Sequence, residues 1–489
     1  MERQIRRVGA VLVVAFLALF AQLNYVQIFA ANRIAGNDAN IRGLLREYSI
    51  KRGTILTSDF EVIARSVATK DDLKYLRRYP EGDLFGHITG YYSLVFGTDR
   101  LERTYNDVLL GSGGVLSMQD IQDRFLGSGE RGDDLRITID SQMQREARAA
   151  LGSQRGAVVA LDPNNGAVLA LWSNPSFDPN PLTTHEPRQI RRAWRQLDPG
   201  SPTSPLVNLA TSRGYPPGST FKVVTAAAAL ESGRYRADST FPDPDAIELP
   251  QTDETLTNFT NRSCTGTGRI DLFTALRVSC DTTFGLLGLD LPGELFDMAT
   301  ALGFNQRIPF DLTTEASRFP RIGDDQKPFR AFAGIGQGDV VATPLQMALV
   351  AATIANDGVV PRPRLAEEIR DPRGGIVRTF EPEELSRAMS DSTAAILTDM
   401  MVAVVENGTG TAAQIPGLRV AGKTGTAQTV EGAAPHAWFI AFAPADDPRI
   451  AVAVIVENGG ELGSEATGGA VAAPIAKRLI ELDRRIRRW

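Results

Sequence analysis

Tyr215-Pro216-Pro217-Gly218-Ser219-Thr220-Phe221-Lys222-Val223-Val224-Thr225-Ala226-Ala227-Ala228-Ala229-Leu230 is the stretch from which the fold is read. Two prolines and a glycine make a turn, and the alanine-rich run after it is helical. Ser219 therefore stands at a helix start, with Lys222 one turn on along the same face. A serine hydroxyl is a poor nucleophile until a base takes its proton, and a lysine kept neutral by burial can be that base. The helix start adds unpaired N–H groups and positive potential, which favour a developing oxyanion.

Working outward, two further motifs carry matching chemistry. Ser279-Cys280-Asp281 follows a helical stretch that begins at Leu272. Lys423-Thr424-Gly425-Thr426 falls in a strand-like segment from Leu418. The chain has only seven lysines, so a lysine in each of two such motifs is informative where Ser-x-x-Lys alone is not. Upstream, Asp134 to Asp140 alternates as a strand and Ser141 to Leu151 reads as a helix. Gly156–Leu161 and Ala167–Trp172 are apolar runs joined by Asp162-Pro163-Asn164-Asn165-Gly166, which predicts a hairpin. From residue 134 to 489 the pattern is one continuous α+β domain, with strands at both ends and helices between.

Before it, residues 32–133 form a mixed region with Arg52-Gly53-Thr54-Ile55, a strand over Val62–Val67 and a helix over Leu101–Leu110. The glycine-dense stretch Gly111–Gly132 is the expected boundary. Residues 1–31 hold Arg3, Arg6 and Arg7, then an apolar run from Val8 to Ala21 that continues more weakly to Ala31. That length suits one transmembrane helix, and the arginines put the N-terminus in the cytoplasm and the catalytic domain outside. A cleaved signal peptide is the alternative.

Composition narrows the class. The 489 residues carry a formal charge of -6, without the basic excess of a nucleic-acid binder. Three histidines without ligand spacing and two cysteines without a CxxC pair give no metal or cofactor motif. Outside the cytoplasm Cys264 and Cys280 could bridge, or remain two buried thiols. Gly417-Leu418-Arg419-Val420-Ala421-Gly422-Lys423-Thr424 matches a Walker A loop. Its context rejects nucleotide binding, because Gln414-Ile415-Pro416 precedes it and a β-like segment follows, with His436–Phe442 as the return strand.

The order Ser-x-x-Lys, Ser-x-Asn, Lys-Thr-Gly resembles that of penicillin-binding proteins and serine β-lactamases. Gly156-Ala157-Val158-Val159-Ala160-Leu161-Asp162-Pro163, Gly334-Ile335-Gly336-Gln337-Gly338 and Ala342-Thr343-Pro344-Leu345-Gln346-Met347-Ala348 extend the resemblance to a transpeptidase domain. The segment Gly90–Gly111, with Leu101-Glu102-Arg103-Thr104-Tyr105, resembles the pedestal of monofunctional class B enzymes. The resemblance covers nearly the whole chain. It implies an antiparallel sheet with helices on both faces, a noncatalytic pedestal and one anchor helix.

It also implies roles. Ser219 would attack the penultimate D-alanine of a D-Ala-D-Ala stem peptide, with Lys222 as base and Ser279 relaying a proton to the leaving amine. Lys423 and Thr424 would hold the terminal carboxylate, beside Gly425. The N–H groups of Ser219 and Thr426 would form the oxyanion hole. No cofactor or metal is implied. The implied partners are peptidoglycan stem peptides, lipid-linked precursors, β-lactams and a membrane glycosyltransferase. The competing readings are a β-lactamase-like hydrolase, a β-lactam-sensing receptor and a catalytically impaired scaffold. Asp281 departs from the usual asparagine; its anion is expected to raise the pKa of Lys222 and either move activity to higher pH or weaken substrate binding, the alternative being a tolerated variant, protonated or paired with a cation.

Overall fold

In the computed structural model, residues 2–25, 47–111, 131–428 and 433–489 are described. The weak apolar continuation to Ala31, most of the glycine-dense stretch after Gly111, and Thr429-Val430 lie outside them.

The catalytic region is built on β1 (Gly156–Leu161), β2 (Val168–Asn174), β3 (Ala421–Ala427), β4 (His436–Ala443) and β5 (Ile450–Val456). They lie side by side in the order β3-β4-β5-β1-β2, every neighbour antiparallel. All residues of β1, β4 and β5 are buried. Helices therefore cover both faces, and these strands read as unbroken apolar runs rather than alternations. Helices Ser141–Leu151 and Ala473–Arg487 pack together and onto the sheet, as does Pro344–Ala355 against β1, β4 and β5. The β1–β2 hairpin forms as expected, with Gly166 in the left-handed region (φ +70°).

A second sheet crosses the expected boundary. Its order is Ile376–Thr379, Ala366–Arg370, Asp134–Ile137, Ile55–Leu56, Val62–Ala68, Tyr75–Arg78. Asp134–Ile137 pairs in parallel with Ile55–Leu56 and antiparallel with Ala366–Arg370. The strand read as the start of the catalytic domain is thus shared with the preceding region. The expected helix Leu101–Leu110 is two short ones, Arg100–Thr104 and Asn106–Leu109.

Glu102 explains much of this region's sequence. It is fully buried and takes Arg52 Nε at 2.5 Å, Arg77 Nε at 2.6 Å and Tyr79 Oη at 3.1 Å. Burial pushes its carboxyl up, but Arg77 and Arg52 more than offset this and leave it below the usual range. Gly53 lies so close to Asp133 O that a Cβ would sit 1.8 Å from it.

At the N-terminus, Glu2–Asn24 is one 23-residue helix with exposed apolar side chains. At 1.5 Å per residue it is about 35 Å long, enough for a bilayer core of about 30 Å.

Candidate active site

The turn at Ser219 is held from three directions. Gly218–Phe221 is a 3-10 turn that runs into the helix Lys222–Glu231. From below, Gly218 N–H donates to Gly336 O (2.9 Å), and Tyr215 exchanges two backbone hydrogen bonds with Ala342 (2.9 and 2.8 Å). The glycine-rich segment Gly334–Gly338 is therefore a cradle: Gly336 has φ +71°, and a Cβ there would meet Gly218 O at 2.3 Å. From the side comes β3. A Cβ on Gly425 would meet Pro217 O and Thr220 Cγ2 at 2.9 Å, so glycine is what lets the strand approach. From behind, Trp438 Nε1 donates to Pro216 O (3.0 Å). Trp438 is fully buried and packs rather than lining a groove. Phe221 anchors the turn, stacked on Phe319 at 5.4 Å and edge-on to Phe304 at 5.6 Å.

The two lysines converge on Ser279. Lys222 Nζ donates to Ser279 O (2.7 Å), Ser279 Oγ (3.3 Å) and Asp281 Oδ1 (2.8 Å). Lys423 Nζ donates to Ser279 Oγ (2.9 Å) and Thr424 O (2.9 Å). Both lysines are fully buried. Ser279 reaches them from a left-handed backbone (φ 63°) that closes the helix Leu272–Val278, and Asp281 opens the helix Asp281–Asp290.

Asp281 pulls the Lys222 pKa up as expected, but burial pulls it down more strongly. Burial lowers the Lys222 pKa, and Asp281 only partly restores it through charge and hydrogen bonding. Lys423 lies well below the usual lysine value, through burial and the charge of Lys222, with Asp281 again opposing. The aspartate thus opposes the effect of burial on both lysines.

The Ser219 hydroxyl has no hydrogen-bond partner among the described residues. Lys222 Nζ is directed instead to Ser279 and Asp281. Thr424 and Thr426 alternate with Lys423 and Gly425 along β3. Thr424 Oγ1 pairs with Thr409 Oγ1 at 2.6 Å.

Thr409 is a residue the sequence reading missed; its only signal is the glycine-punctuated Gly408-Thr409-Gly410-Thr411. Also missed is Glu457, which accepts from Tyr215 Oη (2.6 Å) and Arg155 Nε (2.8 Å) behind the Ser219 turn. Cys264 and Cys280 are joined in a disulfide, which settles the open question of their state. The bridge ties the centre of Ser279-Cys280-Asp281 to a loop held by Asp243, which accepts from Cys264 N, Thr265 N and Thr265 Oγ1 (each 2.7 Å). Asp243 and the two sulfurs cluster, but disulfide sulfurs offer no thiolate to a metal.

Comparison with known proteins agrees with this geometry. The penicillin binding protein transpeptidase domain family matches residues 156–481. The penicillin binding protein A dimerisation domain family matches residues 52–135. The chain is 42% identical to the peptidoglycan D,D-transpeptidase PbpA of Mycolicibacterium smegmatis, over 98% of each protein. It is 39% identical to PbpA of Mycobacterium tuberculosis, over 98% of this chain and 99% of that one. The solved ceftriaxone acyl-enzyme complex of penicillin-binding protein A from M. tuberculosis superposes with a TM-score of 0.85, covering 89% of this chain and 99% of that one. With its motifs gathered on one such scaffold, the chain belongs to the penicillin-binding protein transpeptidases.

Proposed function

We propose that Ser219 is the nucleophile through which this peptidoglycan D,D-transpeptidase cross-links stem peptides in cell-wall synthesis. The observation that carries the assignment is the hydrogen-bonded chain Lys222 Nζ–Ser279 Oγ–Lys423 Nζ at the foot of the Ser219 turn.

Ser219 Oγ attacks the carbonyl of the penultimate D-alanine while its proton passes to neutral Lys222. Burial favours that neutral form. Nζ need only share itself with Ser219 once substrate is in place, since catalytic hydrogen bonds often form only then. The carbonyl oxygen becomes an oxyanion facing the N–H groups of Ser219 and Thr426. On collapse the C–N bond breaks, and the terminal D-alanine leaves with a proton delivered through Ser279. An acceptor amine then attacks the ester, its proton returns to Ser219, and a new amide forms. Lys423 supplies positive potential for the terminal carboxylate. With Thr409 as donor to Thr424, the Thr424 proton stays available to the same carboxylate. β-Lactams acylate the same serine.

The helix Glu2–Asn24 anchors the chain in the membrane, with Arg3, Arg6 and Arg7 on the cytoplasmic side and the catalytic region outside. The sheet that joins residues 52–78 to 366–379 is the pedestal, and a membrane glycosyltransferase is the partner it would meet. The test is a purified-protein assay with a D-Ala-D-Ala stem peptide and an amine acceptor. D-alanine release with a new amide product is expected. No D-alanine release, or repeated β-lactam hydrolysis instead, would overturn the reading.

A further inference from the structure

The helix Pro187–Gln196 has two faces of opposite character. Ile190, Ala193, Trp194 and Leu197 turn inward, at the i, i+3, i+4, i+7 spacing of a packed stripe. Arg188, Arg191, Arg192 and Arg195 repeat the same spacing on the other side, all exposed. Among the described residues no carboxylate pairs with any of the four, although Glu186 and Asp198 flank the helix. Several exposed arginines elsewhere are matched: Arg145 with Glu61 and Glu81, Arg148 with Asp83, Arg419 with Asp399 and Asp446. Arg65, Arg78, Arg213 and Arg307 stand singly without an ion pair among the described residues; the helix differs in carrying four unmatched guanidinium groups on one face. Like charges at i, i+4 destabilise a helix. A chain of net charge -6 thus keeps a self-repelling cationic stripe that forms no ion pair with its own acids among the described residues.

Beside the stripe lies an apolar tip. The hairpin of Tyr92–Ser93 and Gly97–Thr98 turns through Leu94, Val95 and Phe96, all half-buried. Phe96 stacks on Trp194 at 4.4 Å, and Tyr91 meets Trp194 edge-on at 5.9 Å. Phe96, Trp194, Arg188, Arg191 and Arg195 line an open depression of about 460 Å³. Guanidinium groups around an aromatic and aliphatic tip are the chemistry that suits a lipid headgroup layer: arginines for phosphates, the tip for the acyl boundary.

We propose that this stripe and hairpin tip dock the body of the protein onto an anionic phospholipid surface. The inference rests on the proposed membrane anchoring. The 21 residues 26–46 join the apolar helix to the body, a reach of at most about 70 Å, so the stripe is tethered near a bilayer. Each arginine close to an anionic surface favours the docked state about fivefold, and the effect falls with salt.

The test uses the full chain in proteoliposomes. Both native cysteines are in the disulfide, so a dye on Gln189→Cys reports from the exposed helix alone. Quenching by a nitroxide on the lipid headgroups is read in phosphatidylcholine vesicles and in vesicles with added phosphatidylglycerol. Strong extra quenching with the anionic lipid is expected, lost in 1 M salt and lost in the R188Q/R191Q/R192Q/R195Q chain. That chain should keep its helical circular dichroism and its penicillin acylation rate. Quenching that ignores lipid charge, or survives the four substitutions, overturns the proposal. So does protection of the dye by soluble pyrophosphate without any dependence on lipid charge, which would assign the stripe to a soluble phosphate ligand. Flotation with vesicles separates the two readings. A chain that fails to float contradicts the anchor, whereas one that floats without quenching contradicts only the docking.

Discussion

At the scale of single residues, Asp281 is where sequence and structure differ most usefully. Its departure from asparagine was visible in the sequence, and so was its upward pull on Lys222. Full burial of Lys222 was not, because exposure depends on how distant segments close over the side chain. Burial wins, and the lysine pKa falls despite the nearby anion. Asp281→Asn removes the negative charge that opposes burial, so the Lys222 pKa falls further. With the neutral amine as the proposed base, the acid limb of β-lactam acylation moves to lower pH in the variant. Stopped-flow acylation rates against pH check this; superimposable profiles would contradict it. Ser219, Lys222 and Lys423 stand out in the sequence because short motifs hold them, and the fold brings the two lysines together on Ser279. Thr409 and Glu457 do not stand out, because each acts only through a neighbour brought close by the fold.

At the scale of elements, the Ser219 turn depends on backbones packed closer than a Cβ would allow. Gly336 supports Gly218 and Phe221 from a left-handed conformation. Gly336→Ala should cost about 2–4 kcal/mol, through strain and a clash with backbone that cannot retreat. Thermal unfolding reads the loss, and acylation should slow with it. The Gly334–Gly338 segment was recognisable as a motif, but its role as a floor under Ser219 needed the contact itself. The disulfide gives a second expectation. It closes a loop of sequence separation 16, for which chain entropy gives about 3 kcal/mol. Reduction, or the paired change Cys264→Ser and Cys280→Ser, should lower the denaturation midpoint by a matching amount. Acylation should weaken too, because Cys280 lies between Ser279 and Asp281. Unchanged acylation after complete reduction would detach the bridge from the site. Spacing could not settle whether the cysteines pair; the loop fixed on Asp243 brings them together.

At the scale of the whole molecule, the catalytic sheet was legible from its apolar runs and its Asn-Gly turn. Two strands of the second sheet, near Val62–Val67 and from Asp134, were also expected, but their pairing was not legible. That sheet joins residues 55–78 and 134–137 to 366–379, and such long-range pairing leaves no local pattern to read. The two regions are joined further at Asp311, which takes Tyr105 Oη, and Leu365 N at 2.5 Å. The stability of the N-terminal part should centre on Glu102. Glu102→Ala leaves Arg52 and Arg77 buried without a counter-charge, a loss of about 3–5 kcal/mol measurable by denaturant unfolding. Because the folded-state pKa of Glu102 is lowered, its contribution is complete above the ordinary glutamate value of 4.5 and is lost as pH falls through the folded-state value. Acid unfolding should therefore start at higher pH in wild type than in a variant with an apolar replacement for the whole Glu102–Arg52–Arg77 cluster. For the molecule as an enzyme, one measurement is most direct: label the intact chain with a fluorescent penicillin, digest it, and map the adduct by mass spectrometry. A single stable adduct on the Ser219 peptide, absent from Ser219→Ala, is expected; an adduct that maps elsewhere, or persists in Ser219→Ala, would contradict the assignment of Ser219 as nucleophile.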